Sequence, residues 1–157
     1  MQVNDLLVHD ILRRCMVARI ATLSHNGRPS VTSLYFISMK EHIWLGTSSW
    51  TLAARSASGD PRVSVLFEVE RNPREQRLLR VSGNATVRTD LETMHIYHRQ
   101  IARKYVLTPG GLLHYLAHMK RLPLMRLYGA QSDVKGRACV IDVTPEQVEL
   151  IQSTTPG

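Results

Sequence analysis

Residues 47–51, Thr-Ser-Ser-Trp-Thr, stand directly before Leu52 to Ala57, a run that reads as a short helix. Thr47, Ser48, Ser49 and Thr51 therefore set hydroxyls beside the unsatisfied N–H groups of a first helical turn. Hydroxyls and free N–H groups aimed at one place make a cradle for an anion such as a phosphate. Arg55, one turn into the helix, adds a positive charge, and Arg28, opening the second strand of the chain, is a second. On its own this pattern also reads as a plain helix cap with two surface arginines. Trp44 and Trp50 read as core or interface residues, although Trp50 sits inside the turn and is placed to cover one edge of a ring.

A second charged feature lies further along. From Thr93 to Ser132 there is no Asp or Glu, while Arg99, Arg103, Lys104, Lys120, Arg121 and Arg126 are present with His95, His98, His114 and His118. Together with a net charge of +7, this segment points to an anionic partner, or to a solvated basic face. His114 and His118 share a helical face without a third ligand or a nearby acid, so no metal site is expected. No GxSxG elbow or paired carboxylates support hydrolysis, and no catalytic residue is assigned. Cys15 and Cys139 lie far apart without metal-ligand spacing and read as reduced thiols.

The elements that must position these groups follow from period and punctuation. Asn4 is placed to cap a helix bearing Leu7, Val8, Ile11 and Leu12. A β-rich run from Val17 stops at Asn26-Gly27, a tight-turn signal, and Pro29 to Ser38 and His42 to Thr47 complete a three-stranded meander. After the helix at Leu52, Gly59-Asp60-Pro61 leads into a strand from Arg62 to Val69. A charged loop, Arg71 to Gln76, joins it to a strand from Arg77 to Arg88 with a bulge at Gly83. Helical spacing then takes over in Leu91, Met94, Ile101 and Tyr105, and again in Leu112, Leu113, Leu116 and Met119. A last strand spans Ala138 to Val143, and Thr144-Pro145-Glu146 starts a further short strand or turn.

At 157 residues and 43% hydrophobic content the chain supports one domain over residues 1–157, with a helical insertion at about 91–121. No long apolar run or basic-then-apolar lead is present, so a membrane span and a signal peptide are not expected and the expected location is cytoplasmic.

Six short pieces occur in one order: Ile20-Ala21-Thr22-Leu23, Asn26-Gly27-Arg28-Pro29, Leu45-Gly46-Thr47, Ala54-Arg55-Ser56, Gly59-Asp60-Pro61-Arg62-Val63-Ser64-Val65 and Val81-Ser82-Gly83-Asn84-Ala85. In order and spacing they resemble the pyridoxamine-phosphate-oxidase-like family of FMN-binding split barrels. The resemblance implies a mainly β fold with added helices: a six-stranded antiparallel Greek-key split barrel that forms a homodimer with cofactor sites at the subunit interface. It also implies that Arg28, Thr32, Ser33, Thr47, Ser48, Ser49, Trp50, Thr51, Arg55 and Arg77 contact an FMN or deazaflavin (coenzyme F-420). Where the family's oxidases carry Arg-Lys after the turn and a glutamine on the fifth strand, this chain has Leu52-Ala53 and Leu78.

The expected function is hydride transfer from the reduced cofactor to a small-molecule substrate. The alternatives are a non-enzymatic cofactor or haem binder and, less well supported, a nucleic-acid-binding domain. Against the last, Pro109-Gly110-Gly111 makes a looser turn than a helix-turn-helix favours.

Overall fold

In Val17–Leu23 the side chains alternate between the interior and the outside, with Ala18, Ile20 and Thr22 buried, so this run forms a strand with one face in the core. The computed structural model describes residues 2–72, 75–107 and 137–154. Their elements are α1 (Leu6–Arg14), β1 (Val17–Leu23), β2 (Pro29–Met39), β3 (His42–Ser48), α2 (Leu52–Gly59), β4 (Arg62–Asn72), β5 (Glu75–Arg88), α3 (Leu91–Leu107) and β6 (Ala138–Thr154). β1 pairs with β2 on one edge and β4 on the other, which closes the order β1-β2-β3-β6-β5-β4 into a six-stranded antiparallel barrel. This is the mainly β barrel with added helices that the sequence pattern implies.

Local chemistry sets the turns. Gly27, at φ 74°, takes the left-handed conformation in the β1–β2 turn, and Ser24 O accepts its N–H at 2.8 Å. The β2–β3 turn puts Lys40 (φ 47°) and Glu41 (φ 66°) in the same region without glycine. That arrangement costs about 1–2 kcal/mol per residue and is held by the ladder on either side.

Three boundaries differ from the sequence reading. The N-cap of α1 is Asp5, not Asn4, and it makes no side-chain cap because its carboxylate accepts from Gln2 N at 2.9 Å. The expected Arg71–Gln76 loop is shorter, since β4 runs to Asn72 and β5 starts at Glu75. The last strand does not stop at Val143 but continues as β6 to Thr154. The register slips where Ser82 faces Gln147 and Gly83 faces Pro145, so the bulge absorbs a proline that a regular ladder would reject. A Cβ at Gly83 would lie 2.1 Å from Thr144 O, which fixes glycine there. The expected helix around Leu112–Met119 lies outside the described residues.

Inward residues of all the strands meet in one core, where the Phe36 and Phe67 rings pack edge to face with centroids 4.7 Å apart. α1 adds Val8, Ile11 and Leu12 at the end where β1 begins, and α2 adds Ala53 and Ala57 at the end where β1 finishes. α3 lies outside the barrel, with Met94 and Tyr97 against Ile37, Trp44 and Val140. Asp90 starts α3 by accepting from Thr93 N at 3.0 Å and Thr93 Oγ1 at 2.6 Å, and these bonds hold its carboxyl below the usual range.

Tyr97 seats on β3 only because position 46 has no side chain: a Cβ there would lie 2.2 Å from the Tyr97 hydroxyl. The hydroxyl donates to Tyr35 O at 3.3 Å, and burial pushes its pKa well up. Gly46→Ala is expected to destabilise the protein by ~1–3 kcal/mol in urea unfolding, the usual cost of overpacking. In the Gly46→Ala/Tyr97→Ala double variant the costs should fall short of their sum, because the vacated ring space accepts the methyl. Strict additivity would contradict the packing described.

Candidate functional site

The turn between β3 and α2 is built by its own hydroxyls. Thr51 Oγ1 donates to Ser48 O at 2.8 Å and accepts from Ala54 N at 3.3 Å, so it caps α2 as the sequence indicates. Its single proton is thereby used. In the 3.0 Å contact between the two threonines, Thr47 must therefore be the donor. Ser49 ties the turn to the start of β6: its N–H donates to Arg137 O at 2.8 Å, and its Oγ accepts from Arg137 N at 2.9 Å.

The turn residues divide by role. Thr47 and Thr51 spend their protons shaping the turn, whereas Ser48, the N–H groups of Leu52 and Ala53 and the exposed Arg55 remain as groups able to face an anion. No acidic residue lies in the first turn of α2 to repel one. Ala53 is buried, and Leu52 and Trp50 are exposed apolar residues on either side of Thr51.

The remaining sequence candidates are spread around this turn. Arg28, whose N–H donates to Ser24 Oγ at 3.2 Å, lies at the β1–β2 hairpin tip, at the α2 end of the barrel. Adjacent on β2, Thr32 and Ser33 face opposite ways, Thr32 with the inward set and Ser33 with exposed Val31 on the outside. Ser33 borders a cavity of about 400 Å³ with Cys15, Met16, Val17, Arg19, Leu66 and Glu68.

Arg77 stands apart. It pairs with Val69 and Gln152, whereas the α2 end of β5 is reached only near Ala85, whose N–H donates to Pro61 O at 2.7 Å. At ~3.3 Å per residue the two positions are separated by more than 20 Å along β5. The shielded Nε of Arg77 has no hydrogen-bond partner among the described residues. One chain thus brings together Thr47, Ser48, Ser49, Trp50, Thr51 and Arg55, with Arg28 at the same end, and leaves Arg77 at the other.

Two sets of contacts escaped the sequence reading. His42 Nδ1 lies 2.7 Å from Asp142 Oδ1, and Arg88 donates to the other carboxylate oxygen at 3.4 Å while lying over the Trp44 ring. Lys104 Nζ donates to Leu12 O and Phe36 O, each at 3.3 Å, and sits 3.4 Å from the centroid of the Phe36 ring. Burial pulls the Lys104 pKa down to about 8. The hydrogen-bonded partners are 54 to 100 residues apart in sequence, so no local signal announces them. Among the described residues no group of three His, Cys, Asp or Glu could hold a metal ion, and no helix is long and apolar enough to cross a membrane.

Comparison with known proteins adds a family and a set of folds. A family model described as pyridoxamine 5'-phosphate oxidase matches residues 7–152. No curated protein matches by sequence. Among solved structures, an F-420 reductase superposes with TM-score 0.61 at 18% identity, covering 90% of this chain and 94% of that one. An FAD-binding protein from Mesorhizobium loti gives 0.61 at 17%, covering 96% of each chain. The haem storage protein HutZ from Vibrio cholerae gives 0.59 at 14%, covering 96% of this chain and 94% of that one. At these identities the likeness shows a shared fold.

Proposed function

The chain belongs to the pyridoxamine 5'-phosphate oxidase family, and from that premise we propose that it is an oxidoreductase whose β3–α2 turn holds the phosphate of a flavin or deazaflavin. The observation that carries this reading is the turn itself: a capped helix N-terminus with Ser48, two backbone N–H groups and Arg55 facing outward, and no acid in its first turn. The donor set fits a phosphate ester, which needs several hydrogen bonds and at least one positive charge when it leaves water. The flavin-binding and deazaflavin-related neighbours support the choice of cofactor class.

In this reading Ser48, Leu52 N, Ala53 N, Arg55 and Arg28 hold the phosphate, and Thr47, Ser49 and Thr51 keep the turn in shape. Trp50 and Leu52 shield the cofactor from water, and Ser33 and Arg77, but not the inward-facing Thr32, contribute to ring contacts once a second copy is in place. The bound cofactor supplies reversible hydride transfer to a small substrate. Replacing Arg-Lys by Leu52-Ala53 removes two charge-assisted contacts, each worth ~1.5–3 kcal/mol, so cofactor affinity is weaker than that donor pair would give.

A homodimer completes the proposal. The outer faces of β1, β2, β4 and β5 align Ser33, Arg19, Leu66 and Arg80 in one cross-strand row, flanked by exposed Val17 and Val31. Apolar side chains interleaved with the Arg19–Glu68 and Arg80–Glu149 ion pairs suit burial against a second copy. Sedimentation at micromolar concentration should give twice 17.8 kDa, and a stable species near 17.8 kDa would contradict the dimer.

Arg55→Ala should weaken FMN or deazaflavin binding about ten- to a hundredfold in a fluorescence titration, without moving the melting temperature of the cofactor-free protein. Thr51→Ala should instead lower stability by ~1 kcal/mol through loss of the cap. Equal cofactor affinities for wild type and Arg55→Ala would remove Arg55 from the site.

A further inference from the structure

At the end of β2 away from α2, a cavity of about 470 Å³ opens between α1, β2 and α3, lined by His9, Leu12, Arg13, Ile37, Ser38, Gln100, Arg103 and Lys104. Its charge is one-sided: Arg13, Arg103 and Lys104 border it, and no Asp or Glu does among the described residues. Asp10 lies on the neighbouring turn of α1, but its carboxylate is shared between Arg13 at 3.6 Å and Arg14 at 3.1 Å, which leaves the cavity positive. The C-terminal carbonyls of α1 would oppose an anion, yet one of them, Leu12 O, is covered by the Lys104 ammonium. A cleft of one sign with low-dielectric walls concentrates the opposite charge.

We propose that this cavity is a second ligand site, separate from the β3–α2 turn, for a small organic anion whose phosphate or carboxylate head sits between Arg13 and Arg103 and whose apolar body lies on Leu12 and Ile37. The volume is in the range of small-molecule pockets and exceeds the needs of a bare oxyanion. Ser38 and Gln100 supply neutral polar groups beside the charges.

The charge of Lys104 enters the energetics. Among the described residues His9 and Arg13 from α1 and Arg103 from α3 line the cavity with it, Cys15 lies just beyond α1, and β2 contributes Ser38 and the Phe36 carbonyl. Its lowered pKa, about 8, reflects burial, so an anion in the cavity draws the pKa back up. By linkage the same anion must then bind less tightly as pH rises through that value.

The site does not rest on the flavin reading, and the test keeps the two apart. Phenyl phosphate, a dianion with an apolar ring, is titrated calorimetrically into cofactor-free protein at pH 7.0 and pH 9.5, with sulfate as the bare oxyanion. Phenyl phosphate should bind more tightly than sulfate and more weakly at pH 9.5. Arg13→Ala and Arg103→Ala should each reduce its affinity about tenfold or more, while both variants, altered at exposed side chains, keep the wild-type melting temperature. Arg55→Ala, which removes the charge at the β3–α2 turn, should leave the Arg13- and Arg103-dependent affinity unchanged. Equal affinity for sulfate and phenyl phosphate, no saturable binding, retained affinity in either the Arg13 or the Arg103 variant, or loss in Arg55→Ala would each overturn the assignment.

Discussion

Closing six strands into a barrel requires β1 to hydrogen-bond along both edges, to β2 through Val17–Leu23 and to β4 through Ala18–Ala21. That double pairing fixes which strand ends come together, because each residue of Ala18–Ala21 is locked to one partner on either side. It sets the start of β4, and hence the exit of α2, beside the end of β1. The entrance of α2 follows from β3, held against β6 down to Ser48 and Ala138. A short helix pinned at both ends presents its N-terminus at the barrel rim, and the Thr51 cap stabilises that position without determining it.

The opposite end is organised by a half-buried charge. Lys104 reaches from α3 past the β2 edge to carbonyls of α1 and β2, and these bonds offset part of the cost of removing an ammonium from water. Through them the outer helix, the N-terminal helix and the barrel wall meet at one nitrogen. The polypeptide therefore carries two electropositive regions, one made mainly of backbone N–H groups and one of side chains, at opposite ends of the core.

How far the sequence revealed this depends on the range of the interaction. Asn26-Gly27, Gly83 and Thr51 each announced a turn, a bulge and a cap, because the constraint lies within a few residues. Pro145 misled for a related reason: proline normally ends a strand, and only the bulge opposite Gly83 lets β6 pass through it. Gly46 was legible as part of a pattern, but the need for glycine came from Tyr97, 51 residues later on another element. The His42–Asp142 and Lys104 contacts left no local trace. Arg77 stood with Arg55 among the cofactor contacts that the resemblance implies, yet the strand register separates them within one chain, which pattern matching could not foresee.

If the β3–α2 turn recognises a phosphate, then recognition resides in the phosphate and not in the ring alone. Equilibrium dialysis of the protein against FMN and against riboflavin, which share the isoalloxazine ring and differ by the phosphate, isolates that contribution. Charge-assisted bonds from Arg55 together with the helix N-terminus predict FMN binding tighter by at least ~2 kcal/mol, about thirtyfold, with the difference shrinking at high salt. Equal retention of FMN and riboflavin would contradict a phosphate cradle at the end of β3.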